Sequence, residues 1–256
     1  MKIFITGSTG YVGKLLLQEF TKKKLDFIEI KRSNVKSTTS SLSIDYESIA
    51  KNYQHGDWVL HLAWDMNNRK KESSYKCNVM GSKDLLDFLE KEGCNNIIFF
   101  SSVSANKNSQ SVYGKHKYLV EELVKSSNGY IIRPGVIHDS TYMGGFVGSL
   151  RTLSEKFPIL PDFWGNKKIF RLSDIKQIGD VLVSIIEGKQ TINEISVDSS
   201  GPLTFRELIN IITSKSNKLI RVPWFLGFYS LKFLEKMNLV FGVSSDSFLS
   251  IHPKNK

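Results

Sequence analysis

The stretch that most constrains this chain is its first thirteen residues, Met1-Lys-Ile-Phe-Ile-Thr-Gly-Ser-Thr-Gly-Tyr-Val-Gly13. Ile3, Phe4 and Ile5 form a short apolar run with β-branched members, which reads as a buried strand. Gly7, Gly10 and Gly13 follow, and Lys14 to Phe20 reads as a helix. A glycine pattern gains meaning from that context of strand, turn and helix. Gly7 permits the tight turn, Gly10 lets a backbone N–H approach a pyrophosphate, and Gly13 lets the helix pack close to the strand. The helix N-terminus then offers free N–H groups and a partial positive charge to phosphate. The competing reading is an ordinary glycine-rich turn, and its placement straight after a strand argues against that.

With 256 residues, 41% of them hydrophobic and 23% charged, the chain can bury the core of one large domain, or of a domain with a lobe attached. Its net charge of +10 raises the question of an anionic partner. The lysines are scattered, however, and no block of five or six like charges occurs. Lys22-Lys23-Lys24 reads as the last turn of the first helix, where cations suit the dipole. No helix-turn-helix, zinc spacing or RNA-binding aromatic motif accompanies the charge, so a nucleic-acid partner is set aside. Cys77 and Cys94 make neither a disulfide framework nor a metal site. No secretory leader and no apolar run of about eighteen residues is legible. The expectation is a cytoplasmic, reducing setting with no membrane span.

Further along, strands read at Phe27 to Ile30, Leu42 to Asp45 (short), Asp57 to Ala63, Asn96 to Phe100 and Tyr130 to Arg133. Helices read at Tyr46 to Asn52, Asn78 to Glu92 and Tyr113 to Ser126, with a Ser/Thr/Asn-rich loop from Ser33 to Ser43. Alternating strand and helix predicts an α/β fold, a Rossmann-type doubly wound parallel sheet with helices on both faces. After Pro134 the rhythm changes. Residues 139 to 167 are broken by Gly144, Gly145, Pro158, Pro161 and Gly165. Ile175 to Glu187 reads as a helix and Ile192 to Val197 as one more strand of the main sheet. Thr204, with Glu207 three residues on, caps a helix from Phe205 to Ser214. Leu219 to Val222 is extended, and Trp224 to Val240 is an amphipathic helix. The expected organisation is a nucleotide-binding domain over 1–140, to which 168–200 return, and a small, mostly helical substrate-binding lobe from 141–167 and 201–256.

Chemistry concentrates after the strand ending at Phe100. Ser101-Ser102 follow it directly, and Tyr113-Gly-Lys-His-Lys117 comes next. Tyr113 and Lys117, at i and i+4, share one helix face. A neighbouring ammonium favours phenolate, so the tyrosine pKa is expected to fall from about 10. Such a phenol can donate a proton to a carbonyl or accept one from a hydroxyl. A serine hydroxyl at the strand end can bond the same oxygen.

With these residues the chain resembles the short-chain dehydrogenase/reductase superfamily, in particular the extended branch of nucleotide-sugar epimerases, dehydratases and 4-keto-sugar reductases. Thr6-Gly-Ser-Thr-Gly-Tyr-Val-Gly13 is similar to that branch's cofactor turn, which brings in Thr9, Tyr11 and Val12 beside the glycines. His61-Leu-Ala-Trp64 is similar to its fourth-strand motif, with Leu62 and Ala63 against the cofactor and Trp64 towards substrate. Asn78-Val-Met-Gly-Ser-Lys-Asp-Leu-Leu86 is similar to the helix whose Asn supports the active site. Ile132-Arg-Pro-Gly135 is similar to the segment beside the nicotinamide, which implicates Pro134 and Val136, and Phe170-Arg-Leu-Ser-Asp174 to a later strand-to-helix entry. The resemblance implies that Tyr113 is the acid/base, that Lys117 lowers its pKa and holds the ribose, and that Ser102 positions the substrate oxygen. It also leaves a homodimer open.

Lys31 and Arg32 follow the second strand where NAD binders place an acid, so NADP(H) is favoured over NAD(H). Asp45 resembles the residue facing adenine. The chain departs from the branch in two places. Val136 replaces an Asn that touches the sugar nucleotide, and Lys167 replaces a pyrophosphate-binding Arg, attracting phosphate as a point charge rather than a fork. These departures weaken a true 4-epimerase more than a reductase. The expected activity is NAD(P)(H)-dependent reduction or epimerisation of a nucleotide-activated sugar, in the setting of surface polysaccharide synthesis. Reduction of a non-sugar carbonyl and a non-catalytic NADP(H)-sensing protein are the alternatives.

Overall fold

The structure, a computed structural model, describes residues 1–31, 42–66, 71–138, 145–213, 215–237 and 244–251. Its centre is a six-stranded, wholly parallel sheet in the order β2-β1-β3-β4-β5-β9. The strands are β1 (Ile3–Thr6), β2 (Phe27–Ile30), β3 (Trp58–His61), β4 (Ile97–Phe100), β5 (Tyr130–Pro134) and β9 (Glu194–Val197). The chain runs outward from β1 to β2, then returns to place β3 on the other side of β1. That reversal between β1 and β3 opens the crevice in which sheets of this kind bind ligands.

Alternation along each strand builds two cores. In β1, Ile3 and Ile5 face one side with Leu60, Ile98 and Ile132, covered by α1 (Tyr11–Lys22) and α7 (Ile175–Ile186). Phe4 faces the other with Val59, Phe99 and Ile131, under α2 (Tyr46–Asn52), α4 (Gly81–Lys91) and α5 (Val112–Ser126). Cover on both faces explains why these strands are apolar throughout. Between β3 and α4 the chain passes through α3 (Lys71–Ser74) and a π-helical turn, Tyr75–Met80. The helix expected from Asn78 therefore begins within a wider turn, and Gly93 ends it with φ +71°.

The remaining elements are β6 (Val136–His138), α6 (Gly145–Lys156), β7 (Ile159–Asp162), β8 (Phe170–Asp174), β10 (Pro202–Leu203), α8 (Phe205–Ile212), β11 (Lys218–Arg221), α9 (Trp224–Lys236) and α10 (Ser245–Ser250). Strands β10-β8-β6 form one small sheet and β11-β7 another. Leu150, Trp164, Phe170, Phe205, Leu208 and Phe248 lie at the heart of a third buried cluster. The box capping α8 forms as Thr204 and Glu207 predict, with Glu207 N–H donating to Thr204 Oγ1 at 3.2 Å and Thr204 N–H to Glu207 Oε2 at 2.7 Å.

Two sequence expectations change. The third strand, Leu42 to Asp45, shrinks to a single bridging residue, Ile44, because Asp45 turns at once to cap α2 through Ser48 N–H at 3.1 Å. The broken stretch before residue 167 contains α6, twelve residues long. Its glycines depress helix propensity, and burial of Val147 and Leu150 in the third cluster overrides that. Residues 33–41 of the loop expected from Ser33 to Ser43, and residues 238–240 at the end of the expected last helix, lie outside the described residues. Among the described residues no helix is long and apolar enough to cross a membrane.

Leu60, fully buried at the middle of β3, tests the two-faced core. Leu60→Ala is expected to lower unfolding free energy by about 2–5 kcal/mol in urea titrations, with the lower end indicating collapse of the neighbouring side chains.

Candidate active site

Gly7 follows β1 with φ +75°, a conformation side chains rarely adopt, and a Cβ there would lie 2.6 Å from the amide nitrogen of Ala63. The turn after β1 and the end of β3 are therefore in backbone contact. Gly13 is equally close to the turn, since its Cβ would meet Gly7 O at 2.4 Å. Gly10 differs: a Cβ on it would touch only Gly7 O, at 3.3 Å, and its open side lines the cleft. Helix α1 starts there with no side-chain cap and no acidic residue in its first turn. A positive helix end with no acid in its own first turn suits a diphosphate.

A buried polar chain fixes this junction. Ala63 N–H donates to Thr6 Oγ1 at 3.3 Å, and Thr6 Oγ1 lies 2.8 Å from His61 Nδ1. His61 Nε2 is 2.9 Å from Ser82 Oγ, which itself donates to the carbonyl of Asn78 at 2.7 Å. The Ser82 proton is thus committed, so Nε2 carries the imidazole hydrogen and Nδ1 accepts from Thr6. Burial, with repulsion from Lys117 second, pushes His61 down to about 3, and the ring is neutral at working pH. Asn78 is fully buried in the π-helical turn. It clamps the backbone of Asp65, accepting from its N–H at 2.7 Å and donating to its carbonyl at 3.0 Å.

These elements border a cavity of 740 Å³, within the range of about 300–1,000 Å³ usual for ligand sites. Gly7, Gly10, Tyr11, Val12 and Gly13 line one end. Leu62, Trp64, Pro134 and Val136 line the middle, together with Ser102, Tyr113 and Lys117. The residues chosen from four distant stretches of sequence, 7–13, 62–64, 102–117 and 134–136, therefore converge. Thr9, Lys31, Asp45, Ala63, Asn78 and Lys167 do not line the cleft. Asp45 is a helix cap, Asn78 lies behind the wall, and Thr9, Lys31 and Lys167 are exposed. Arg32 lies outside the described residues.

Tyr113 stands one turn from Lys117 on α5, edge-on to Trp64 with ring centroids 6.0 Å apart. The ionisation of the pair runs opposite to the sequence expectation. Burial pushes the Tyr113 phenol up to about 12, against a hydrogen bond with Ser102 that favours phenolate. Burial likewise takes Lys117 down to about 7, against the attraction of Glu121. Lys117 fails to depress the phenol because its ammonium is directed elsewhere. It donates to the Phe100 carbonyl at 2.7 Å and lies over the rings of Trp64, at 3.9 Å, and Phe99, at 4.6 Å.

Several cleft residues escape sequence reasoning. Ser101, at the end of β4, is 2% exposed and lines the cleft, and its hydroxyl has no hydrogen-bond partner. A buried orphan of this kind marks a place for a ligand atom. With the glycine turn and the uncapped α1, it shows that the residues present fit a nicotinamide dinucleotide. Arg171 also lines the cleft and pairs with Asp198. Asp246, from α10, lines it 133 residues after Tyr113. The serine pair at the strand end could have drawn attention to Ser101, whereas no local pattern points to Asp246.

A parallel sheet with this reversal, a glycine turn at its crevice and a Tyr/Lys helix across it define an NAD(P)-binding enzyme of the Rossmann class. The sequence pattern of the NAD-dependent epimerase/dehydratase family matches residues 3–133, and the chain belongs to that family. No curated protein matches it. Among solved structures, the fold is similar to dTDP-4-dehydrorhamnose reductase from Bacillus anthracis str. Ames in complex with NADP, at TM-score 0.71 and 15% identity over 97% of each chain. The Clostridium acetobutylicum ATCC 824 dTDP-4-dehydrorhamnose reductase gives TM-score 0.70 at 19% identity, covering 87% of this chain and 84% of that one. UDP-N-acetylglucosamine 4-epimerase from Bacillus cereus gives 0.66 at 18%, covering 87% and 85%.

The low Lys117 value has a measurable consequence. The unfolded chain keeps that proton to about 10.4, whereas the folded chain loses it near 7. Where the unfolded state binds more protons, stability rises with pH. Wild-type stability relative to Lys117→Met is therefore expected to be flat below about pH 7 and to increase up to pH 9, as followed by urea unfolding. The Tyr113 shift acts above that window.

Proposed function

We propose that this chain is an NADP(H)-dependent reductase of a nucleotide-activated keto sugar. One observation carries the reading: Ser102, Tyr113 and Lys117 share a single cleft with the glycine turn. Gly7, Gly10 and Gly13, with the start of α1, hold the pyrophosphate. Lys117 holds the nicotinamide ribose, and Ser101 offers its unused hydroxyl to the same ligand. Lys31 and Arg32 favour the 2′-phosphate of NADP(H).

When bound, the nicotinamide supplies the hydride that adds to the carbonyl carbon. Ser102 hydrogen-bonds the carbonyl oxygen and fixes its direction. Tyr113 gives that oxygen its phenolic proton as negative charge develops there. A phenol held near 12 is fully protonated at neutral pH, which suits an acid in a reduction better than a base in an oxidation. The segments 141–167 and 201–256 form the substrate lobe in this reading, in a cytoplasmic setting and with a homodimer left open. Trp64 and Ser102 contact the sugar, with Lys167 as the candidate for its diphosphate.

One observation favours a second reading, reduction of a carbonyl unconnected to nucleotides. Lys167 is exposed and does not line the cleft, and among the described lining residues the only cations are Lys117 and Arg171. Thermal-shift titration separates the two. NADPH at about 100 times its dissociation constant is expected to stabilise the protein by about 2.7 kcal/mol under both. UDP or dTDP adds stabilisation only under the first, and failure of every nucleotide to stabilise the chain defeats both.

Tyr113→Phe is expected to lower kcat by about 10²–10⁴-fold with NADPH affinity unchanged. A variant that keeps wild-type turnover removes Tyr113 from the reaction. A protein that responds to NADPH but turns over none of the keto sugars, with or without Tyr113, is a sensor instead.

A further inference from the structure

The helix that carries Tyr113 does not satisfy its own N-terminus. Ser111 caps it by accepting from Gly114 N–H at 2.9 Å, and its first turn contains no acidic residue. The N–H groups of Val112 and Tyr113 go to one carboxylate far away in sequence: Asp246 Oδ1 accepts from Val112 at 2.6 Å and Oδ2 from Tyr113 at 3.0 Å. Both oxygens are engaged, at the positive end of a fifteen-residue helix, where charge-assisted bonds are strongest.

Asp246 is itself well anchored. The preceding residue, Ser245, donates to Glu235 of α9 through its N–H at 2.8 Å and its hydroxyl at 2.7 Å. Phe248, 2% exposed, packs against Phe163, Trp164 and Trp224 at centroid distances of 5.0–5.3 Å. The same short helix also presents a wall to the cleft, because Ser247 and Ser250, with the cap residue Ser244, line it beside Asp246. One short helix therefore touches both the space available to substrate and the backbone of Tyr113.

We propose that Asp246 is a positioning residue: from α10 it holds the first turn of α5, so that the cleft wall and Tyr113 keep one fixed geometry. It acts through Tyr113 and does not touch the reacting atoms. The proposal rests on the reading of Tyr113 as the proton donor. Substrate lodged against the serines of α10 meets the phenol in register because the two surfaces share a carboxylate.

The test uses the full chain with Asp246→Ala, Asp246→Asn and, as a variant that loosens α10 without touching α5, Glu235→Gln. Amide hydrogen exchange at residues 112 and 113 is followed with NADPH bound, and kinetics use the keto sugar that the wild type reduces. For Asp246→Ala, faster exchange at both amides and a fall in kcat of about 10–100-fold are expected, with NADPH affinity within about twofold of wild type. Asp246→Asn keeps a strong acceptor and recovers part of both. Glu235→Gln acts chiefly on KM. The proposal fails if Asp246→Ala exchanges faster but keeps its kcat, which would make the contact purely structural, or if NADPH affinity falls in step with kcat. Should the alanine variant not fold, Asp246→Asn decides: wild-type exchange and wild-type kcat together overturn the clamp. Absence of wild-type turnover on any keto sugar defeats the functional reading instead, and the exchange data still report whether the carboxylate holds the helix.

Discussion

The contact between the backbone at Gly7 and the backbone at Ala63 governs the geometry of the whole crevice. Two parallel strands can end side by side at that distance only if one of them stops in a residue without a Cβ. The contact sits at the reversal between β1 and β3, and residues from both strand ends, Gly7 and Leu62, line the cleft that opens there. The buried chain through Thr6, His61, Ser82 and Asn78 then locks these strand ends to α4. A neutral imidazole is needed for that: a charged ring carries a proton on both nitrogens and could not accept from Thr6. Burial guarantees neutrality, so the packing of the sheet and the direction of the hydrogen bonds support each other.

Much of this was legible in the sequence, because it is written in local signals. The strand before Gly7, the helix from Tyr46 to Asn52, the box at Thr204 and the Tyr113/Lys117 spacing all depend on residues within a turn or two of one another. The alternation of strands with helices was enough to expect a parallel sheet covered on both faces and to add β9 to it, though not to give the order of its strands. What escaped was non-local. Helix α6 was hidden by its own glycines, since its stability comes from partners such as Phe170 and Phe205 in the third cluster. The strand expected near Asp45 dissolved because the same residue was better used as a cap. Asp246 carries no local pattern, and only the fold brings it to Val112 and Tyr113.

Ionisation shows the same boundary more sharply. Spacing alone placed an ammonium one turn from a phenol and implied that the first would acidify the second. Spacing does not say where a flexible side chain points. With Lys117 directed to a carbonyl and two aromatic faces, desolvation dominates both groups and moves them apart, the phenol upward and the ammonium downward. The buried ion pair nearby behaves differently. Arg133 grips Glu121 through two bonds, at 2.7 and 2.6 Å, and its partly exposed guanidinium reaches Glu194 as well. Helix α5 is thus moored to β5 at its middle and to α10 at its beginning.

The placement of Trp64 gives the molecule an internal optical gauge. Its indole lies against the Lys117 ammonium on one side and meets the Tyr113 ring edge-on. The emission of an indole depends on nearby charge and on water, so discharging that lysine or filling the crevice alters the light this ring gives out. The three other tryptophans do not line the cavity: Trp58 is in the sheet, Trp164 and Trp224 among the aromatics of the third cluster. Occupancy and protonation can therefore be followed on the native chain, without a dye.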